Sequence, residues 1–196
     1  LFLYDRIGGR MSLPRSFGID LERSRWGAGL KPKFRKGFVY ADARVDDARL
    51  VVLTAVAARN HGAEVRTRTR FVGAVRESGA WRASLQDAQG TQQVRAKAIV
   101  NVAGPWVADV LDSVPHAPTG AKVRHVKGSH IVVPRVHEEA HAYILQNADK
   151  RIVFVIPWQD RYTLIGTTDV PVDDYAKPAI SAEEADYLLE LANAYL

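Results

Sequence analysis

Between Val123 and Thr167 the chain carries β-rich segments separated by turn formers, and this spacing constrains the fold more than any other feature. The segments are Val123–Val133, Tyr143–Gln146, Arg151–Pro157 and Tyr162–Thr167. Asn147-Ala-Asp-Lys150 joins the second to the third, and Trp158-Gln-Asp-Arg161 joins the third to the fourth. Links this short return the chain as hairpins, because a parallel crossover needs a dozen or more residues. The expected sheet is antiparallel. Ionisable or hydroxyl groups stand at or near strand ends: Lys127 and His130, then Arg151, then Thr167, Thr168 and Asp169. Neighbouring strands would gather them over one side of the sheet. A cation, an imidazole and hydroxyls around one spot suit a small anionic, hydroxylated substrate.

The remainder reads differently. Residues 1–37 are broken by Gly8, Gly9, Pro14, Gly18, Gly27, Gly29, Pro32 and Gly37, which predicts helical scraps and loops. Phe38-Val-Tyr-Ala is a short strand. Asp46 or Asp47 can cap a helix running to about Asn60, with Gly62 as its stop. Ala63–Thr69 alternates like a strand, placing Arg66, Arg68 and Arg70 on one face. Phe71–Gln86 and Gln92–Ala98 form a meander, turning at Glu77-Ser-Gly and Asp87-Ala-Gln-Gly. Ala98-Ile-Val-Asn-Val-Ala-Gly-Pro-Trp106 predicts a short buried strand, a glycine turn and a helix from Trp106 to Leu111. That arrangement can offer backbone N–H groups to a phosphate, although many such turns hold glycine for steric reasons alone. Ser181-x-x-Glu184 is a capping box leading into a helix over Ala185–Leu196.

Composition excludes several classes. There is no cysteine, so disulfides and cysteine metal sites are ruled out. No apolar run approaches the roughly 20 residues of a membrane helix. Leu1-Phe-Leu-Tyr-Asp lacks the basic start of a signal peptide. Both ends read as cut, which makes an excised piece of a longer protein the expectation. The net charge is +5, with basic residues gathered at Arg23 and Arg25, at Lys31, Lys33, Arg35 and Lys36, and at Arg66, Arg68 and Arg70. A solvated surface explains them most simply; attraction to anionic lipid or phosphate compounds is the sharper reading. Nucleic acid is disfavoured, since no aromatic residues interleave a basic ribbon.

Each candidate residue has a plain alternative. A lone mid-strand histidine such as His130 is most often structural. Lys127 and Arg151 nearby would hold its ring neutral and able to take a proton. Arg151 follows a hairpin and can be a surface charge, or a clamp on substrate oxygen. Thr167, Thr168 and Asp169 can end a strand, or bond a flavin or a substrate hydroxyl. His61, His116, His125, His137 and His141 show no metal-ligand spacing.

Several segments together carry a family resemblance. They are Leu1-Phe-Leu-Tyr-Asp, Phe38–Leu50, Val100-Asn-Val-Ala-Gly-Pro-Trp-Val107, Val126-Lys-Gly-Ser-His-Ile-Val-Val-Pro134, Tyr143-Ile-Leu-Gln-Asn147, Asp149–Pro157 and Ile165-Gly-Thr-Thr-Asp169. They closely resemble the FAD-dependent, aerobic glycerol-3-phosphate dehydrogenases, almost end to end, as the central portion of such an enzyme. The Lys-Gly-Ser-His and Ile-Gly-Thr-Thr-Asp pair is the most specific part. The resemblance implies a mixed α+β and α/β fold like that of the glucose and D-amino-acid oxidase flavoproteins. Residues 1–45 would open the substrate domain, 46–112 would form part of a Rossmann-type FAD-binding layer, and 113–196 an antiparallel substrate cap. It implies oxidation of glycerol 3-phosphate to dihydroxyacetone phosphate, with a hydride passed to FAD and electrons to ubiquinone. It implies a cytoplasmic enzyme, peripheral on the anionic inner membrane and often a homodimer, with no nucleic acid partner. Matched by motif, His130, Arg151 and Thr167 fall on active-site positions. Val65, Ala103, Gly104 and Thr168 fall on positions near the cofactor. The glycine fingerprint that holds most of the FAD and the later phosphate-clamping segment have no match here, so the piece alone is expected to be inactive and free of cofactor. A related flavin oxidase of amino or hydroxy acids, and a non-catalytic structural fragment, are the alternatives.

Overall fold

The computed structural model describes residues 5–6, 13–115 and 123–196. The expectations on Leu1–Tyr4, on Gly8-Gly9 and on His116 lie outside them. The chain divides into two compact units, one of residues 1–43 and 126–196, the other of residues 44–125.

The first unit opens with β1 (Phe17–Asp20) paired antiparallel to β2 (Lys36–Val39), Phe17 facing Val39. The glycines around it had predicted loops, so β1 was not expected. Its strand is only four residues long and half its side chains are short or polar, which leaves little alternation to read.

The second unit holds α1 (Asp47–Asn60), whose N-cap Asp46 accepts from Arg49 N at 3.0 Å. β3 (Arg70–Glu77), β4 (Ala80–Asp87) and β5 (Gly90–Ala96) follow as the expected antiparallel meander. A 3-10 turn at Gly104–Trp106 leads into α2 (Val107–Asp112). Two expected strands are missing. Over 63–69 the chain turns at Thr67-Arg68, with Arg68 at φ 54°, so Arg66, Arg68 and Arg70 form no common row. Over 98–102 no ladder forms, and Val100 and Val102 are 80% and 84% exposed rather than buried. A lone extended segment is not stable without a neighbour to take its N–H and C=O groups. Neither segment has such a neighbour among the described residues.

The first unit resumes with β6 (Val126–Lys127), β7 (His130–Pro134), β8 (Tyr143–Gln146), β9 (Ile152–Trp158), β10 (Tyr162–Gly166), β11 (Val170–Pro171) and α3 (Ala182–Tyr195). The expected single strand from Val123 to Val133 is therefore two. β6 pairs with β11, whereas β7 belongs to a four-stranded sheet in the order β7-β10-β9-β8. The change of partner falls at Gly128-Ser129. All pairings are antiparallel, as the hairpin links demanded.

Alternation gives this sheet two faces. Tyr143, Leu145, Val153, Val155 and Ile165 pack with Leu188, Leu191 and Ala192 of α3, and Ile131 and Val133 lean on the same core. Burying a side chain the size of Leu188 contributes about 1.5–3 kcal/mol. The other face carries His130, Val132, Ile144, Ile152 and Gly166, and of these Val132, Ile144 and Ile152 are exposed.

Candidate active site

His130 starts β7 and stands directly across from Gly166, which ends β10. The imidazole lies against the glycine: a Cβ on Gly166 would sit 2.5 Å from His130 Cδ2. Thr167 follows at once, and a Cβ on Gly128 would collide with its Oγ1. Two glycines without side chains thus let the imidazole and the hydroxyl settle onto backbone from opposite strands. Any other residue at either position displaces a candidate catalytic group. His130 is exposed on the open face, and neither ring nitrogen has a hydrogen-bond partner among the described residues. Thr167 donates its hydroxyl to Thr168 O at 3.0 Å, which leaves its oxygen lone pairs able to accept.

Beneath this pair lies a buried polar network that sequence reasoning took for a helix cap only. Glu184, in the first turn of α3, receives four donors. Lys127 Nζ donates to Oε2 at 2.6 Å and Ser181 N at 2.9 Å, while Ser129 Oγ donates to Oε1 at 2.9 Å and Thr168 Oγ1 at 2.7 Å. Ser129 N in turn donates to Thr168 Oγ1 at 2.8 Å. The Lys127 and Glu184 side chains are 12% and 8% exposed. Burial pushes the Glu184 carboxyl up, but hydrogen bonds from Lys127, Thr168, the Ser181 backbone and Ser129 outweigh it, so its pKa falls to about 2. The one signal available in the sequence was Ser181-x-x-Glu184, and the box does form: Glu184 N donates to Ser181 Oγ at 3.2 Å.

The expected convergence of charges on His130 is only partial. The Lys127 ammonium is turned into the network and ion-paired to Glu184. Thr168 is 5% exposed, with its hydrogen given to Glu184 and a lone pair given to Ser129 N. Its hydroxyl holds protein to protein and is not presented to a flavin. Arg151 sits at the same end of the sheet but on the α3 face. Its guanidinium carbon lies 4.1 Å from the Tyr187 ring centroid, and its Nε is 2.6 Å from Asp149 Oδ2. Its hydrogen bond to the Asp149 carboxylate raises the arginine's pKa, with the Tyr187, Asp149 and Asp169 charges assisting against partial burial. Strand parity separates it from His130, which occupies the opposite face.

In the second unit Ala103 N donates to Asn101 Oδ1 at 3.2 Å, and Asn101 Nδ2 donates to Val107 O at 2.9 Å. Gly104 has φ 56° and nothing within 4 Å of where its Cβ would be. Val65 is 43% exposed. The Gly104 turn is open on its outer side, so a flat or phosphorylated group can approach its backbone, and Val100 and Val102 before it are exposed. The residues present fit part of a nucleotide cofactor's surroundings. Among the described residues there is no group of three metal-ligating side chains and no helix long and apolar enough to cross a membrane.

Comparison with known proteins gives the chain a family. The sequence profile of the FAD dependent oxidoreductases matches residues 5–196. A glycerol-3-phosphate dehydrogenase of Pseudomonas aeruginosa is 52% identical over all of this chain, which corresponds to 38% of its own length. A D-erythritol 1-phosphate dehydrogenase of Brucella abortus is 46% identical, again over the whole chain and 39% of its own. The crystal structure of the Bacillus halodurans glycerol-3-phosphate dehydrogenase complexed with FAD superposes with a TM-score of 0.73 at 29% identity, covering 85% of this chain and 34% of that one. The chain thus spans under two-fifths of the length of these relatives. It belongs to the FAD dependent oxidoreductases, a family whose cofactor is FAD.

Proposed function

We propose that this chain is part of a dehydrogenase that oxidises the secondary alcohol of glycerol 3-phosphate to the ketone of dihydroxyacetone phosphate. The observation that carries the reading is the placement of His130: an exposed imidazole lying against the Gly166 backbone, with unbonded nitrogens and Thr167 next in sequence to that glycine. The names of the relatives supply the substrate class, a phosphorylated polyol.

The chemistry needs two departures from the alcohol carbon. The hydride leaves with its electron pair, and FAD, when bound, is the acceptor of those two electrons. The hydroxyl proton must leave as the carbonyl forms, and His130 takes it onto a ring nitrogen. Thr167 orients the alcohol by accepting a hydrogen bond from a neighbouring hydroxyl. The apolar side chains on the same face as His130, Val132, Ile144 and Ile152, offer an exposed apolar surface beside it. For the cofactor, the Ala103–Gly104 turn and the Val65 segment are the candidate contacts in the second unit.

The test is His130→Ala in the FAD-loaded enzyme, followed by dye reduction with glycerol 3-phosphate. Loss of a general base lowers kcat by about 10²–10⁴-fold. Turnover near that of the unmodified enzyme would remove His130 from the mechanism.

A second reading has comparable support, since the erythritol-phosphate enzyme is 46% identical against 52% for the glycerol-phosphate enzyme. Comparing kcat/KM for the two polyol phosphates decides between them. The family resemblance extends the reading to a quinone acceptor, a homodimer and a cytoplasmic enzyme held at the inner membrane. On this chain the support for the last is the basic run Lys31, Lys33, Arg35 and Lys36. Binding to anionic vesicles that weakens with salt is the outcome expected of it.

A further inference from the structure

We infer that Glu184 is the positioning residue of the site, tying the Lys127–His130 turn to the Gly166–Asp169 turn so that His130 and Thr167 face the same substrate. The inference rests on the proposed reaction and deepens it. The two turns belong to separate sheets on either side of them: β6 with β11, and β7 with β10. Ladder pairing brackets the turns, His130 with Gly166 on one side and Lys127 with Val170 on the other, and leaves Gly128-Ser129 and Thr167-Thr168 without a ladder bond between them. Across that gap the carboxylate supplies the link. Its Oε1 accepts from Ser129 Oγ, next to His130, and from Thr168 Oγ1, next to Thr167. Ser129 N closes the triangle on Thr168 Oγ1. Its Oε2 holds Lys127 and the Ser181 backbone, which anchors the whole knot to the start of α3. A carboxylate has about four lone-pair sites, and all are taken, so it is held in one orientation. Lys127 Nζ reaches Ala179 O as well, adding a second strap from the loop before α3.

Glu184 reaches no reacting atom itself. It acts through Ser129 and Thr168, whose immediate neighbours in sequence are His130, on the open face, and Thr167. Small errors in such alignment are expensive: a misplacement of about 1 Å can cost on the order of 10²-fold in rate.

The sharpest test uses the holoenzyme with Thr168→Val, which keeps the side-chain shape and removes both hydrogen bonds, beside Thr168→Ser, which keeps the hydroxyl. Thr168→Val is expected to lower kcat by about tenfold or more with KM for glycerol 3-phosphate changed much less. It should also speed amide exchange at Ser129, whose acceptor is gone. Thr168→Ser should restore both. Leu191→Ala, a core change on α3 away from the network, serves as the comparator: it should lower thermal stability without splitting kcat from KM. Glu184→Gln should reproduce the Thr168→Val split; where that variant fails to fold, Ser129→Ala replaces it. If Thr168→Val and Ser129→Ala match the unmodified enzyme in kcat while Ser129 exchange is faster, Glu184 does not position the site and the inference is overturned. If instead the exchange changes as expected but even the unmodified enzyme leaves glycerol 3-phosphate unoxidised, the substrate reading fails and the clamp stands.

Discussion

The two units use apolar residues in opposite ways. In the first, α3 closes one face of the four-stranded sheet, and Val153, Val155 and Leu188 are 0% exposed. In the second, α1 buries none of its residues, and Leu50, Val51, Val52 and Leu53 are 52%, 67%, 60% and 52% exposed. Only Ala74 and Ala83 of its meander join the buried apolar residues. Secondary structure therefore forms in both, but among the described residues only the first unit supplies its own cover. Local signals such as a cap or a turn fix an element; burial depends on a partner being within reach.

The largest expected difference comes from removing one leucine from each unit. Leu188→Ala empties a fully enclosed position and should destabilise the first unit by about 2–5 kcal/mol. Leu53→Ala removes side-chain atoms already in water and should change stability by no more than about 0.5 kcal/mol. Hydrogen exchange under mild urea, read separately over β8–β10 and over α1, checks both. Equal losses from the two substitutions would mean that the α1 surface is covered in solution, and the contrast would collapse.

A smaller effect belongs to the first unit alone. His137 and His141 stack at 4.7 Å between centroids, boxed by Trp26 and Tyr143, and all four ring nitrogens are buried without partners among the described residues. Burial lowers the pKa of both. Arg135 adds to this at His137, and His137 and Arg25 at His141, while Glu139 opposes at both and Glu138 at His137. Tyr143 is pushed up to about 12 by burial and by Glu139, so it remains a neutral donor to Trp26 O and Ala28 O. With native pKa values below the ordinary 6.5, the unfolded chain binds more protons than the native one just under that pH. Stability is therefore full above 6.5 and falls as pH drops through 6.5 toward the lowered native values. Glu184 withdraws its own contribution only much lower, between 4.5 and about 2. The urea midpoint of the first unit should drop between pH 7.5 and 5.5, and His137→Phe should flatten that slope. A midpoint that ignores pH in this interval would contradict the neutral stacked pair.

The antiparallel sheet was legible because its links are short and its alternation strict, and α1 and α3 were legible from Asp46 and from the Ser181–Glu184 box. The segments over 63–69 and 98–102 were misread because alternation reports the propensity to pair and says nothing about whether a neighbour exists. At the site, His130 and Thr167 could be named from motif, and the sheet sets His130 across from Gly166, the residue before Thr167. Glu184 could not, because its partners Lys127, Ser129 and Thr168 are dispersed in sequence and meet only through the exchange of sheet partners at Gly128-Ser129. Thr168 misled for the same reason: a hydroxyl beside a site reads identically whether it faces a ligand or the protein interior.

Arg151 sets the finest contrast, between two faces of one sheet. It begins the segment whose next residue, Ile152, pairs with Gln146, and it shares strand parity with the core residues Val153 and Val155. Its charge is paired to Asp149 at 2.6 Å, with the two side chains 45% and 38% exposed, and its guanidinium lies over Tyr187. Such an exposed pair contributes about 0.2–1 kcal/mol. Arg151→Ala should therefore cost little stability and should leave kcat within about tenfold of the unmodified enzyme, far from the 10²–10⁴-fold loss of a general base. The side chain is long, and a substrate phosphate reaching the strand end could draw it around the edge. In that case KM for glycerol 3-phosphate would rise steeply while KM for an unphosphorylated polyol would not. That split would return Arg151 to the site and show that strand parity alone does not decide which residues meet a ligand at a sheet's rim.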